Sequence, residues 1–346
     1  MKKLLFVLIL MLIFQSCQNT SKDYSTDVPE KLNINIETEV YDIETINRNY
    51  EIKLSTDSLF HGMIHKMMIR NDTIYILDTQ KAPGLYLYDE MGRLLNVYDK
   101  IGQGVGEFVN VIDFQIDDGF IYLLDSHQAN ILKLNRDCQY LSTINGVKNA
   151  NSFAMGSVDD IWYDMGNYIM DDSAKLICMS SQGKSSVLNV PSHIENITIS
   201  PLNTLIKIND EIHYLPALEN VIYECKDNVA TKKYFLDFGN LWPSESFWVE
   251  SKKEHPLMIF RKLSESGYVY ELNFQENLDV IHLNFKCGTD SYWYFYDKRN
   301  MKQKLLKGMT GLRPCCIYNE KLYVISDIDP SCIMVYSLAT ILQQKS

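Results

Sequence analysis

Residues 99–110 read DKIGQGVGEFVN and set Gly102, Gly104 and Gly106 at alternate positions, directly before Glu107 and Phe108. A glycine-rich loop can cradle phosphate when its backbone N–H groups converge at a helix N-terminus. The dinucleotide fingerprint, however, spaces its glycines G-x-G-x-x-G and opens a helix. Here the spacing is G-x-G-x-G, and residues 108–116 read as a strand with Ile112, Phe114 and Ile116 apolar in alternation. The glycines are therefore expected to turn the chain, by positive φ or close approach, with Glu107 capping exposed backbone N–H groups.

Other motifs for chemistry are scarce. His61 and His65 stand four apart, the spacing of two metal ligands on a helix, but their stretch leads into a strand and no third ligand accompanies them. His127, His193, His213, His255 and His282 are scattered singly. The acid pairs at 117–118, 159–160 and 171–172 lie in no D-x-D-x-D-G loop and read as turn residues. There is no G-x-S-x-G elbow, no Walker A loop and no recognisable Ser/His/Asp order. Only a site drawn singly from distant elements would escape such motifs.

The N-terminus carries an address. Lys2 and Lys3 precede an unbroken apolar run from Leu4 to Phe14, the length of a signal-peptide core and short for a membrane span. The run ends in Gln15, Ser16 and Cys17, which resembles a bacterial lipobox, cleaved before the cysteine that then receives acyl chains. Residues 1–16 are thus expected to be a lipoprotein signal peptide, 17–36 the lipidated Cys17 and a flexible tether, and 37–346 the folded domain. Position 18 is Gln, not Asp, so the inner-membrane retention signal is missing, and outer membrane is the expected location. The membrane is then a partner through lipid on Cys17. With 44 acidic against 33 basic residues the net charge is −11, which argues against nucleic acid as a partner.

Seven cysteines follow Cys17, an odd number, and none forms a C-x-x-C pair, so neither a zinc ribbon nor a redox dithiol is indicated. They read as small buried apolar residues. A bond between the adjacent Cys315 and Cys316 would be strained.

The elements that must position any site come from a repeat. IYILD at 74–78 recurs as IYLLD at 121–125, and the same offset carries Leu85 and Leu87 onto Leu132 and Leu134 without a gap. A shared offset over two strands and their loop marks a unit of two hairpins, the length of a propeller blade. Fainter copies start near Val158, Asn209, Asp290 and Asn319. At about 40–50 residues per blade, the chain after the tether accommodates six four-stranded antiparallel blades. Ring closure needs a strand borrowed from the other terminus, and residues 41–55 are the candidate.

The sequence resembles the six-bladed β-propeller lipoproteins of Gram-negative bacteria, relatives in shape of NHL-repeat proteins. The resemblance rests on the IYILD strand, LYDEMGRLL at 87–95, IGQGVGEF at 101–108, and YFLDFG at 234–239 followed by Pro243. Val105 stands where the family usually has proline. It implies an all-β six-bladed propeller; some such rings hold a metal in the central channel, so calcium there is a candidate cofactor. It assigns no catalytic residue, because propellers host many functions.

Two further stretches stand out. SYWYFYDK at 291–298 puts Tyr292, Tyr294 and Tyr296 on one face of a strand and Trp293 and Phe295 on the other, as packing between blades requires. Residues 241–262 fit no strand template and read as an inter-blade insertion, helical in part. Trp242, Trp248 and Trp293 are the candidate ligand-contact aromatics. The expected function is a lipid-anchored envelope module that binds a glycan or a protein without chemistry, and so no enzyme. The alternative is a metal-dependent hydrolase or lyase with its site at the central channel.

Overall fold

The structure, a computed structural model, describes residues 28–37, 40–55, 64–156, 160–168, 173–199, 201 and 203–343. Strand follows strand because apolar and aromatic runs of four to nine residues are separated by tight turns whose residues tolerate positive φ. Asn71 and Asp72 (φ 48° and 60°), Asp118 and Gly119, Asp227 and Asn228, and Asn319 and Glu320 all turn hairpins in this way.

The strands form six sheets. Blade 1 comprises Lys66–Arg70, Thr73–Asp78, Gly84–Asp89 and Leu94–Tyr98; blade 2 comprises Val111–Asp117, Phe120–Asp125, Asn130–Leu134 and Tyr140–Asn145. Blade 3 runs Ser152–Met155, Ile161–Asp164, Ala174–Ser180 and Gly183–Asn189, and blade 4 runs Leu205–Ile208, Glu211–Tyr214, Val221–Lys226 and Val229–Asp237. Blade 5 is Val269–Glu276, Val280–Cys287, Asp290–Asp297 and Lys302–Gly308. Blade 6 takes Leu312–Tyr318, Lys321–Ser326 and Cys332–Ser337 from the C-terminus and its fourth strand, Tyr50–Lys53, from the N-terminus, antiparallel to Cys332–Ser337. The closing strand therefore falls within 41–55.

Blades 4 and 5 depart from the four-stranded pattern. Glu30–Asn33, inside the stretch 17–36 read as tether, adds a parallel fifth strand to Val229–Asp237, and Tyr41–Asp42 does the same for Lys302–Gly308. Residues 28–37 and 40–54 thus strap the outer edges of blades 4, 5 and 6 in succession. The exposed edge of a sheet is a template for pairing, and the strap covers two of them.

Each strand near the middle of a blade is buried on both faces. Tyr75 and Leu77 pack toward blade 2, whereas Ile74 and Ile76 pack toward blade 6. In blade 5, Tyr292, Tyr294 and Tyr296 join the core shared with blade 4, and Trp293 and Phe295 join the core shared with blade 6. The main hydrophobic clusters therefore lie between neighbouring blades. A blade carrying apolar side chains on both faces is stable only when flanked, which is why the architecture closes.

Asp78, Asp125 and Asp164 end the second strands of blades 1 to 3 and hold the next turn. Asp78 Oδ1 accepts from Gln80 and Lys81 N–H (2.8 and 3.1 Å), Asp125 Oδ1 from His127 and Gln128 N–H (both 3.0 Å), and Asp164 Oδ1 from Gly166 N–H (2.9 Å).

Between blades 4 and 5 the chain leaves the repeat. Helix α1, Glu245–Ser251, is capped by the Ser244 hydroxyl, and α2, Pro256–Glu265, has Pro at its first turn. Their Trp248, Ile259 and Leu263 bury against Val190, Ile194 and Ile197 of the blade 3 exit. No helix among the described residues is long and apolar enough to cross a membrane.

Candidate functional site

The inner strands surround a central channel with a cavity of about 420 Å³. Where these strands begin, the channel is crowded by buried polar pairs. Lys66 Nζ lies 2.7 Å from Asp113 Oδ1, Asp113 also accepts from Phe114 and Phe153 N–H (2.8 and 3.1 Å), and the Ser152 and Thr204 hydroxyls are 2.6 Å apart. Nearer the hairpins that end the inner strands, Lys207 of blade 4 reaches Asp117 of blade 2 at 2.8 Å, across the short inner strand of blade 3. Buried Gln275 lines the channel with an Oε1 that no protein donor reaches.

From this wall a row of polar side chains runs outward between blades 5 and 4. Glu276 ends the inner strand of blade 5; its Oε1 accepts from Lys298, and its Oε2 lies 2.5 Å from His213 Nδ1. Glu211 and His213 are two apart on one strand and share a face, and the blade 4 register sets Glu224 opposite His213. One ligand atom each from Glu211, His213 and Glu224 lies within 4.8 Å of the others. Lys233, from the next strand, puts its Nζ among them: 3.1 Å from Glu211 Oε2, 2.6 Å from Glu224 Oε2 and 2.9 Å from His213 Nε2. Hydrogen bonding to Lys233 holds the Glu211 carboxyl below the usual carboxylate range. Burial works against the charge on Lys233, but its bonds to Glu224 and Glu211 prevail and raise its pKa above the ordinary lysine value.

One imidazole nitrogen with two carboxylates is a donor set suited to zinc, manganese or iron, and the carboxylate behind the histidine fixes its ring and tautomer. Calcium selects oxygen donors throughout. The cluster corrects the expectation of a binding module without chemistry and that of no enzyme: three metal-competent side chains converge, backed by buried Glu276. The cluster also differs from calcium in the channel in its donors and its place, since it touches the channel only through Glu276. In the sequence its one trace is the alternation Glu-x-His at 211–213; Glu224 and Lys233 join only through sheet register.

The glycine loop connects Tyr98 of blade 1 to Val111 of blade 2. Gly104 N–H donates to Glu107 Oε2 at 2.8 Å, and a Cβ on Gly102 would meet that same oxygen at 1.9 Å. Gly106 adopts φ +74°, and its carbonyl accepts from the Tyr98 hydroxyl. Of the three tryptophans singled out, Trp242 stacks on Phe238 (5.6 Å) and lines two surface cavities, Trp248 is buried on the inward face of α1, and Trp293 is wholly enclosed between blades 5 and 6. Burial lowers the pKa of His65, while His61, Cys17, Asp159, Asp171 and Asp172 lie outside the described residues. The described cysteines are all unbridged.

A second polar knot lies between blades 3 and 4. Fully buried Lys175 donates to the Ala217 carbonyl (2.9 Å) and to Glu219 Oε1 (2.6 Å), and the Tyr214 hydroxyl donates to Asp164 at 2.8 Å. Burial lowers the pKa of Lys175 and raises that of Asp164.

A family model described as a 6-bladed beta-propeller matches residues 15–311. No curated protein matches the chain in sequence. Among solved structures, a Bacteroides fragilis protein whose name marks it as exported shares 14% identity, with 88% of this chain and 98% of that one aligned at a TM-score of 0.73. A member of the DUF4221 family from Bacteroides vulgatus shares 9% identity over 84% of this chain and 97% of its own, at a TM-score of 0.58. At such identities the likeness is one of fold.

Proposed function

The chain belongs to the 6-bladed beta-propeller family, and on that scaffold we propose a metal-dependent hydrolase or lyase whose reaction centre is the Glu211, His213 and Glu224 cluster beside the central channel. The observation that carries this reading is the convergence of those three ligand atoms within 4.8 Å, with Glu276 hydrogen-bonded behind the histidine. A divalent transition ion held there would polarise a carbonyl or activate a water molecule. Lys233 now holds the centre of the set, so the ion must displace it. The ammonium so displaced would stay beside the set, as a donor toward negative charge developing on a substrate oxygen.

The test is metal binding by the detergent-solubilised mature chain, measured by calorimetry with zinc and manganese chlorides. One ion per chain is expected for the wild type, with affinity rising at least about tenfold in Lys233→Ala, roughly 1.4 kcal/mol, and binding abolished in His213→Ala. Failure of both wild type and Lys233→Ala to bind one ion overturns the metal reading and leaves a salt-bridge network joining blades 4 and 5.

We also propose that the protein is an outer-membrane lipoprotein of the cell envelope, acylated at Cys17. Support comes from the basic start, the apolar run and the Gln15, Ser16, Cys17 junction. Mass spectrometry of the mature N-terminus checks this: an acylated Cys17 is expected, and an unmodified or uncleaved terminus sinks the proposal.

A further inference from the structure

A second cavity, of about 200 Å³, opens beneath the helical insertion. It lies at the end of the ring where the inner strands begin, whereas Glu211 follows the hairpin at their other end. Trp242, Phe260 and Tyr270 supply aromatic walls. Glu219, Glu271 and Arg313 supply polar edges, and each already has a compensating partner. Glu219 bonds Lys175 at 2.6 Å, Glu271 bonds Lys286 at 2.7 Å, and Arg313 donates to the Ile64 carbonyl at 2.5 Å and lies 3.8 Å from Asp327. A charged ligand would find no uncompensated opposite charge here. Hydroxyl groups would find both acceptors and a donor.

The backbone adds an independent observation. Leu218 (φ +61°), in the turn closed by Glu219 N–H on the Pro216 carbonyl, and Glu271 (φ +50°), at the break in register between Tyr270 and Asn273, occupy the left-handed region, which is otherwise filled mostly by Asn and Asp among non-glycine residues. Both line this cavity. Conformations of this kind persist only where the surroundings over-determine them, and they cluster at ligand sites. A neighbouring cleft of about 500 Å³ shares Leu218, Glu219, Trp242 and Trp248, so a ligand longer than one ring can continue into it.

We propose that this pocket holds one pyranose unit of a neutral saccharide. The ring's C–H face lies against the aromatic walls, and its hydroxyls donate to Glu219 and Glu271 and accept from Arg313. The site is separate from the metal cluster, and its ligand needs no metal.

Calorimetric titration of the mature chain with glucose, galactose, mannose and N-acetylglucosamine, in EDTA so that the metal proposal plays no part, tests the assignment. At least one sugar is expected to bind in the millimolar range. Trp242→Ala should weaken it about tenfold, Trp242→Phe should restore most of the affinity, and Glu271→Gln should weaken it about fivefold. Circular dichroism establishes that each variant is folded; if Trp242→Ala is not, Glu271→Gln decides. Absence of binding by all four sugars, binding of indole in their place, or unchanged affinity in the folded variants overturns the proposal.

Discussion

Lys66 and Asp113 stand 47 residues apart, at equivalent positions of two successive blades, and meet as a buried ion pair with Nζ 2.7 Å from Oδ1. The repeat that generates the fold has thus placed opposite charges at one structural position and joined neighbouring blades through them. Removing one partner leaves the other charge buried and uncompensated. Lys66→Met is therefore expected to destabilise the protein by about 3–5 kcal/mol, and the double variant Lys66→Met, Asp113→Leu by less. Urea unfolding of the three proteins measures both.

His282 is fully buried, stacked on Phe295 at 4.4 Å, with Nδ1 3.0 Å from the Tyr294 carbonyl. Burial lowers its pKa to about 3, against 6.5 for the free side chain. Between those limits the unfolded chain binds a proton there and the folded chain does not. The stabilisation is therefore complete above pH 6.5 and is lost as the pH falls toward 3, by roughly 3 kcal/mol at pH 4. His282→Gln should flatten this part of the stability profile relative to wild type, as read by denaturant titration at several pH values.

The Glu211 carboxyl titrates in the opposite context. Its pKa is depressed by Lys233, so its contribution is present above the ordinary carboxylate range and disappears as the pH falls through the folded-state value. Glu211 is half exposed, and solvent keeps the effect small. Lys233→Ala should reduce the acid dependence of the thermal midpoint at its acid edge. An identical dependence in the variant would show that Lys233 does not set the Glu211 pKa.

In the glycine loop Gly106 and Gly102 differ in kind. Gly106→Ala combines a positive φ with a Cβ 2.9 Å from Tyr140 Cγ and is expected to cost about 1–3 kcal/mol. Gly102→Ala meets only the Glu107 carboxylate, the mobile end of a side chain, so its cost is that of the bond Glu107 makes to Gly104 N–H, about 1 kcal/mol. Thermal unfolding orders the two.

The ring itself was legible because each blade repeats a local event, a strand, a turn and a strand, that the offset between 74–78 and 121–125 displays directly. The copy near Asp290 shows the limit: Asp290–Asp297 is the third strand of its blade, not the second, because an aromatic run packs equally well at either position. The parallel strands Glu30–Asn33 and Tyr41–Asp42 were hidden, since four residues or fewer carry no periodic signature. The metal-competent cluster was hidden for another reason. Glu211, His213, Glu224 and Lys233 are brought together by register across three strands, and Glu276 joins from the next blade. Such proximity is a property of sheet pairing, which residue types alone do not encode.

The strap has a consequence for synthesis. Tyr50–Lys53 is made long before its partner Cys332–Ser337, and the bond from Ser337 N–H to Asn49 Oδ1 spans 288 residues. At about 5–20 residues per second the ribosome needs roughly 15–60 s to cover that interval. Until then Tyr50–Lys53 has no native neighbour in its sheet. The ring therefore cannot lock early in translation: its closing joint forms only once Cys332–Ser337 has been made.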